Sequence, residues 1–277
     1  MRFTKAHGAG NDFVLLPDPQ NTLELTPALV RGLCRAHVGL GADGVIRVAP
    51  PRAGADADAF MDYRNADGSL AEMCGNGVRC VAKYLVDRRL VPGTGVRVDT
   101  RSGVRLVQCD IDEAGRVVQA RINMGEPVPL KVDLALEVTG FGTVHVTTLS
   151  MGNPHAVVIV EDVARAAVNT LGPLLQRGEE FPEGTNVEFI QVKDRTHLLG
   201  RIWERGVGET LASGSGAGAM AAAAHLCGLA DRRITVSLAG GVLEADWGDD
   251  GIAITGPAVE VASGDLDPAW LETLGAS

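Results

Sequence analysis

The stretch with the most chemical potential is 65–80. A polar, turn-forming lead of Asn65, Ala66, Asp67 and Gly68 runs toward Cys74; Gly75 and Gly77 then bracket Asn76, and residues 81–86 read as a helix. This order predicts a thiol at or just before a helix N-terminus, where unpaired backbone N–H groups and the positive end of the helix dipole meet. Such a setting lowers a thiol pKa from about 8.5 toward neutrality and makes thiolate available as a base. The same N–H groups can bind a carboxylate, and the two glycines allow a close approach to the backbone. A carboxylate held beside a thiolate points to proton transfer at the carbon next to that carboxylate. A cysteine outside a disulfide is more commonly a small buried apolar residue. The glycine bracket and polar lead-in favour the reactive reading for Cys74, whereas Cys34, Cys80, Cys109 and Cys227 are expected in the core.

The elements that would position this thiol occur twice. Gly10-Asn11 before the apolar run 13–16 has a counterpart in Gly152-Asn153 before the run 156–160. Cys74-Gly75-Asn76-Gly77-Val78-Arg79 has one in Ser213-Gly214-Ser215-Gly216-Ala217-Gly218, and each leads into a helix. Asn153 follows Asn11, and Ser213 follows Cys74, at nearly the same offset, close to half of the 277-residue chain. Two matches in one order at nearly one offset predict two similar domains. We expect them at 1–118 and 119–264, divided after the polar turn Asp112-Glu113-Ala114-Gly115, with the tail 265–277 packing on the first. The ligand site is expected in the cleft between them, faced by two helix N-termini. Alternating apolar runs predict strands near 3–7, 45–48, 59–64, 96–100, 104–110 and 117–123, and again near 134–140, 143–150, 186–192 and 198–204. Helices are expected at 27–36, where Thr26 caps and Pro27 starts, at 163–175, and after Ser213 to about residue 227. The fold class is α/β of the α+β kind.

Composition removes several functions. A net charge of −10 argues against a general nucleic-acid binder and against an anionic membrane surface as partner. No segment approaches 18 uninterrupted apolar residues, so no membrane helix is expected. The opening Met1-Arg2-Phe3-Thr4-Lys5 has no apolar signal core, which makes a cytoplasmic location the expectation. The five cysteines contain no Cys-x-x-Cys pair, so neither a disulfide framework nor a zinc site is indicated. No phosphate-loop or dinucleotide glycine motif stands in the right context. The expectation is chemistry without metal or cofactor. Two helix ends facing one site, one bearing a thiol, suit inversion of a stereocentre: a base on one face, an acid on the other, and backbone donors for the carbanion.

Further motifs stand in order along most of the chain: 5–14 with Gly10-Asn11-Asp12, Gly41-Ala42-Asp43-Gly44, Asn65 to Gly68, Met73 to Cys80, Gly152 to Ala156, Gly184 to Phe189, and Glu204 to Thr210. On these motifs the sequence closely resembles the diaminopimelate epimerases. The resemblance implies two pseudo-symmetric domains, each a mixed barrel-like sheet around a central helix. It implies epimerisation at the α-carbon of LL-diaminopimelate to the meso isomer, a precursor of lysine and peptidoglycan, by a cofactor-independent two-base mechanism, and usually a homodimer. It makes Cys74 one catalytic group and puts Ser213 in the place of the other. Asn11, Asn65, Gly75, Asn76, Asn153, Asn186, Glu204, Arg205, Gly214 and Ser215 become substrate contacts, with Arg205 suited to a distal carboxylate and Glu204 to an ammonium. His155 becomes a neighbour that tunes a catalytic group. Taken singly, an Asn beside a Gly is commonly a turn former, Glu204-Arg205 a surface pair, and Glu209 a carboxylate serving a helix N-terminus. Only the shared context raises them above those readings.

One departure bears on the chemistry. The family pattern after Glu209-Thr210-Leu211-Ala212 is Cys-Gly-Thr-Gly-Ala, and this chain has Ser213-Gly214-Ser215-Gly216-Ala217. A serine hydroxyl is far less acidic than a thiol and is rarely an anion near neutrality without an adjacent base. Three readings fit: an epimerase in which Ser213 passes a proton slowly, a deliberate Cys→Ser replacement, or a relative with changed chemistry such as another amino-acid racemase, a dehydratase or lyase. A non-catalytic amino-acid-binding protein is the reading from another class. Gly44 is a lesser departure, since some relatives carry a longer polar residue there.

Overall fold

The computed structural model describes residues 1–275. They form two compact units, Met1–Ile122 with the stretch from Pro257 onward, and Asn123–Gly256. The first unit contains β1 (Arg2–Gly8), β2 (Asn11–Pro17), α1 (Pro27–Cys34), β3 (Gly44–Ala49), β4 (Ala59–Asn65), α2 (Gly75–Asp87), β5 (Gly95–Thr100), β6 (Gly103–Ile111) and β7 (Val117–Asn123). The second contains β8 (Val128–Val138), β9 (Gly142–Ser150), β10 (Pro154–Ile159), α3 (Val168–Gln176), β11 (Asn186–Asp194), β12 (His197–Glu204), β13 (Gly208–Thr210), α4 (Gly214–Leu226), β14 (Arg233–Leu238), β15 (Gly241–Gly248) and β16 (Gly251–Pro257). The chain then returns to the first unit with β17 (Val259–Asp265) and α5 (Pro268–Thr273).

The internal repeat is visible in the strand pairing. From β1 to β6, successive strands pair antiparallel, parallel, antiparallel, parallel and antiparallel. The series β9, β10, β11, β12, β14, β15 repeats that sequence of pairings. In each unit one helix is enclosed by the strands. Helix α2 touches β1, β2, β4, β5, β6 and β17, and α4 touches β9, β10, β11, β12, β14 and β15. A helix surrounded on all sides cannot be amphipathic in the usual way. Accordingly, every residue of α2 from Gly75 to Val86 is buried, and α4 is built almost wholly of Gly and Ala with Met220. The one lysine in α2, Lys83, keeps its charge satisfied through Val117 O at 2.6 Å and Asp87 at 2.7 Å. By contrast α1 is one-faced. Thr26 Oγ1 accepts the Leu29 N–H at 3.2 Å, Pro27 starts the helix, and Leu29, Val30, Leu33 and Cys34 face a cluster that also holds Leu266 and Leu271.

The structure revises several expected bounds. The chain divides at the end of β7, not before it, and the last strand does not belong to the second unit. β17 pairs antiparallel with β1 over Arg2–His7, so a distant segment completes the first sheet. The expected helix at 163–175 is two pieces, a 3-10 turn Val163–Arg165 and α3, because Ala166 is extended (ψ 137°) and breaks the helix between them. Strand β8 starts at Val128, well before the expected 134, its first residues being exposed apolar and polar side chains without a buried face to reveal them. Cys34, Cys80 and Cys109 are buried, but Cys227 is only partly so, since it caps the C-terminal end of α4. No described helix is long and apolar enough to cross a membrane.

The first unit also contains carboxylates whose pairing makes it acid-sensitive. Asp99 is 1% exposed and accepts both Arg52 Nε at 2.8 Å and Nη2 at 2.6 Å, which holds its pKa below the usual carboxylate range. At Asp62 burial pushes the pKa up, but Arg101 and Arg64 outweigh it and the pKa is lowered. A carboxyl with a depressed folded pKa contributes stability above its unfolded value and loses it as pH falls through the folded one. Thermal unfolding followed from pH 6 downward is therefore expected to show a falling midpoint below pH about 4. Asp99→Asn should remove part of that pH dependence; an unchanged slope would contradict the assignment to this pair.

Candidate active site

The expected site residues fall into two sets, one in each unit. In the first, Asn11 opens β2, Asn65 ends β4, and Gly75 and Asn76 form the first turn of α2. Cys74 is the N-cap of that helix, with φ −142° and ψ 119°. Its side chain makes no cap bond to the helix N–H groups. Instead the thiol donates to Asn11 Oδ1 at 3.5 Å. The same oxygen accepts Asn76 Nδ2 at 3.1 Å, while Asn76 Oδ1 accepts Arg79 Nη2 at 2.6 Å. A guanidinium only donates, so Arg79 fixes the Asn76 amide, and Asn76 fixes Asn11. Asn11 in turn donates Nδ2 to Asp43 Oδ2 at 2.7 Å. Burial pushes the Asp43 pKa up, and the nearby Asp12 carboxyl adds to that. Asp43 O accepts the Ala66 N–H at 3.1 Å and Asn65 Nδ2 donates to Ser69 Oγ at 3.0 Å, so the Asn65 turn is tied to the same group.

Gly44 has a steric reason. A β-carbon there would lie 2.5 Å from both Arg64 O and the Tyr63 ring, so no longer side chain fits on this backbone.

In the second unit, Asn153 precedes β10, His155 lies within it, Asn186 opens β11, Glu204 ends β12, and Gly214 and Ser215 begin α4. Ser213 caps α4 at φ −137° and ψ 131°, close to the values at Cys74. Unlike Cys74, Ser213 is used as a cap: its Oγ accepts the Gly216 N–H at 3.2 Å and lies 3.5 Å from Ser215 Oγ. Beneath this turn is a fully buried pair, His155 Nδ1 to Glu188 Oε1 at 2.7 Å, with His155 Nε2 3.0 Å from Asn153 Oδ1. Desolvation pushes the Glu188 pKa up, against the pull of His155, and Glu188 Oε2 has no partner. Asn186 donates to Pro154 O and accepts the Arg205 N–H at 2.9 Å. The Arg205 guanidinium is exposed and donates to Glu183 O at 3.1 Å, and Glu204 Oε1 accepts Thr210 Oγ1 at 2.6 Å. The Glu209 carboxylate is taken up by Arg201 at 2.7 Å and Asn169 at 2.8 Å.

Sequence reasoning passed over Arg79, Asp43 and Glu188, although all three lie inside quoted motifs. Two of them carried a usable signal: Glu188 is a charge inside the apolar run Val187 to Ile190, and Arg79 is a charge in a helix with no polar face. A surface cavity of about 800 Å³ lies elsewhere in the first unit and is lined by Lys83, Asp87, Arg88, Asp112, Arg116 and Glu260 among others. Those six charges are paired with one another.

Two units, each a sheet wrapped around one helix, make a fold shared with solved structures. A hydroxyproline epimerase from Agrobacterium vitis superposes with a TM-score of 0.73 at 16% identity, over 97% of this chain and 94% of that one. A phenazine biosynthesis protein of the PhzF family from Bacillus anthracis gives 0.73 at 17%, over 96% and 99%. These likenesses define the class by fold alone. Sequence then narrows it. The diaminopimelate epimerase family model matches residues 3–130 and 147–261. The diaminopimelate epimerases of Moorella thermoacetica and a Synechocystis strain are 44% and 43% identical to this chain, each over 96% of it and 99% of the relative. The chain belongs to the diaminopimelate epimerase family.

Proposed function

We propose that this chain converts LL-diaminopimelate to the meso isomer without a cofactor, with Cys74 and Ser213 serving opposite faces of one α-carbon. The observation that carries this reading is the Cys74 thiol at the N-cap of α2, in a chain 44% identical to the diaminopimelate epimerase of Moorella thermoacetica. The thiolate of Cys74 removes the α-proton. The N–H groups of Gly75 and Asn76 take the α-carboxylate, onto which carbanion charge spreads, and Gly214 and Ser215 offer the matching donors on α4. Asn11, Asn65, Asn153 and Asn186 suit a zwitterion, because each amide both donates and accepts. Arg205 is suited to the distal carboxylate and Glu204 to an ammonium, while His155 sits behind Asn153 and acts through it. Ser213 then returns a proton from the other face, the slow step of the cycle. Five cysteines outside disulfides suit a reducing, cytoplasmic setting, and the functional unit we propose is a homodimer.

The test is conversion itself. Purified protein given LL-diaminopimelate should accumulate the meso isomer, resolved by chiral chromatography, and the reverse reaction should run from meso. Turnover of another amino acid with none of diaminopimelate would sink the assignment.

A further inference from the structure

Among the described residues, Arg79 is the largest fully buried side chain, 0% exposed, and its hydrogen-bond partner is Asn76 Oδ1. Its Nε and Nη1 are buried and unpartnered. A guanidinium does not give up its proton, so a full positive charge sits under the first turn of α2 without a carboxylate to balance it. Besides the Asn76 oxygen, the thiols of Cys80 and Cys74 lie close enough to interact with it electrostatically. Burial pushes Cys80 up to about 12, which leaves Cys74 as the anion this charge can hold.

The repeat sharpens the point, because the second unit lacks this charge. Cys74 corresponds to Ser213, so Arg79 corresponds to Gly218. The strands differ too: Leu15 pairs with Ile46 where Val157 pairs with Glu188. A β-carbon on Gly77 would meet Ile46 at 2.9 Å, and one on its counterpart Gly216 would meet Glu188 Oε1 at 3.2 Å. One helix end thus stands over a cation and an alkyl group, the other over a carboxyl group.

We propose that Arg79 is the positioning residue that makes Cys74 the resting base of this site: its buried charge holds the thiolate, and its bond to Asn76 sets the Asn11 amide against the sulfur. This deepens the epimerase reading and rests on Cys74 being its proton-transfer group. Asn11 Oδ1 at 3.5 Å opposes the effect by favouring the thiol. A thiol is a weak donor, so a nearby unscreened charge outweighs that contact. Of the other charges around α2, Lys83 is taken up by Asp87, Lys5 by Asp12, Arg88 by Glu260, Asp62 by Arg101 and Asp99 by Arg52, while His7 accepts the Gly10 N–H and Asp43 the Asn11 amide. Arg2 on β1 and Arg105 on β6, whose Nε is buried and unpartnered, add positive charge and so act in the same direction as Arg79.

The experiment is alkylation of the native protein by iodoacetamide across pH, with the Cys74 and Cys227 peptides followed separately by mass spectrometry. In Arg79→Met the Cys74 midpoint should rise by about one unit or more, a roughly tenfold slower reaction near pH 7. Cys227, partly exposed in the other unit, should be unmoved and serves as the reference. Arg79→Lys should bring the Cys74 midpoint back toward the parent. Arg79→Gln keeps a donor for Asn76 and removes the charge, and gives the same reading should Met prevent folding. A Cys74 profile like the parent's in either folded, charge-free variant would overturn the proposal. The readout uses no substrate, so failure to turn over diaminopimelate would count against the epimerase reading and leave this one standing.

Discussion

Ser213→Cys raises the rate of LL-to-meso conversion by about 10²-fold or more, the scale of a positioned acid–base group. The geometry for this gain is already in place. Cys74 (φ −142°, ψ 119°) and Ser213 (φ −137°, ψ 131°) share one N-cap backbone conformation, on buried helices in sheets of the same pairing order. A thiol at 213 would therefore start from the orientation Cys74 already has. What changes is acidity: a thiol alternates readily between acid and thiolate near neutral pH, whereas the serine hydroxyl is only rarely an anion there. Serine has instead been put to use as a cap, accepting the Gly216 N–H at 3.2 Å. Losing that cap is expected to cost about 1 kcal/mol of stability. The variant should thus be faster and slightly less stable, measured by chiral chromatography and thermal unfolding. Equal rates for parent and variant would mean that Ser213 is not a proton-transfer position.

Cys74→Ala abolishes the reaction, by about 10³-fold or more in both inversion and α-proton exchange with solvent. The loss exceeds that expected on the Ser213 side because, among the described residues, Cys74 is the only thiol at a helix N-terminus: Cys34, Cys80 and Cys109 are buried and their pKa values pushed up to about 12, and Cys227 caps a helix C-terminus. Ser213→Ala supplies the contrast, removing inversion while leaving exchange at Cys74. Binding of diaminopimelate to Cys74→Ala, read by calorimetry, should persist, since the amide and backbone contacts are untouched. Retained exchange in Cys74→Ala would remove Cys74 from the mechanism.

Most of the fold was legible in the chain because its halves repeat. Two short glycine-bracketed motifs at one offset predicted paired units, and the strand pairing reproduces the repeat from β1 to β6 in β9 to β15. The N-cap position of Cys74 was equally legible, since glycines, a polar lead-in and an apolar run leave few other places for a helix to begin. What the chain hid is long-range. That β17 closes the first sheet depends on β1, a partner at the opposite end of the chain, and nothing local in Val259–Asp265 announces it. The buried network behind the site was hidden for a similar reason. Arg79 is one charge in a helix, and Glu188 one carboxyl in a strand; their meaning depends on full enclosure by elements far off in sequence.

In this mechanism Cys74 is a competent base and Ser213 limits inversion. The most direct test incubates diaminopimelate with the unaltered protein in deuterated water and compares α-deuterium incorporation with stereochemical inversion by NMR. Deuterium should enter one stereoisomer with retention faster than inversion accumulates. Exchange and inversion advancing together from the first turnover, or inversion without exchange, would contradict this mechanism.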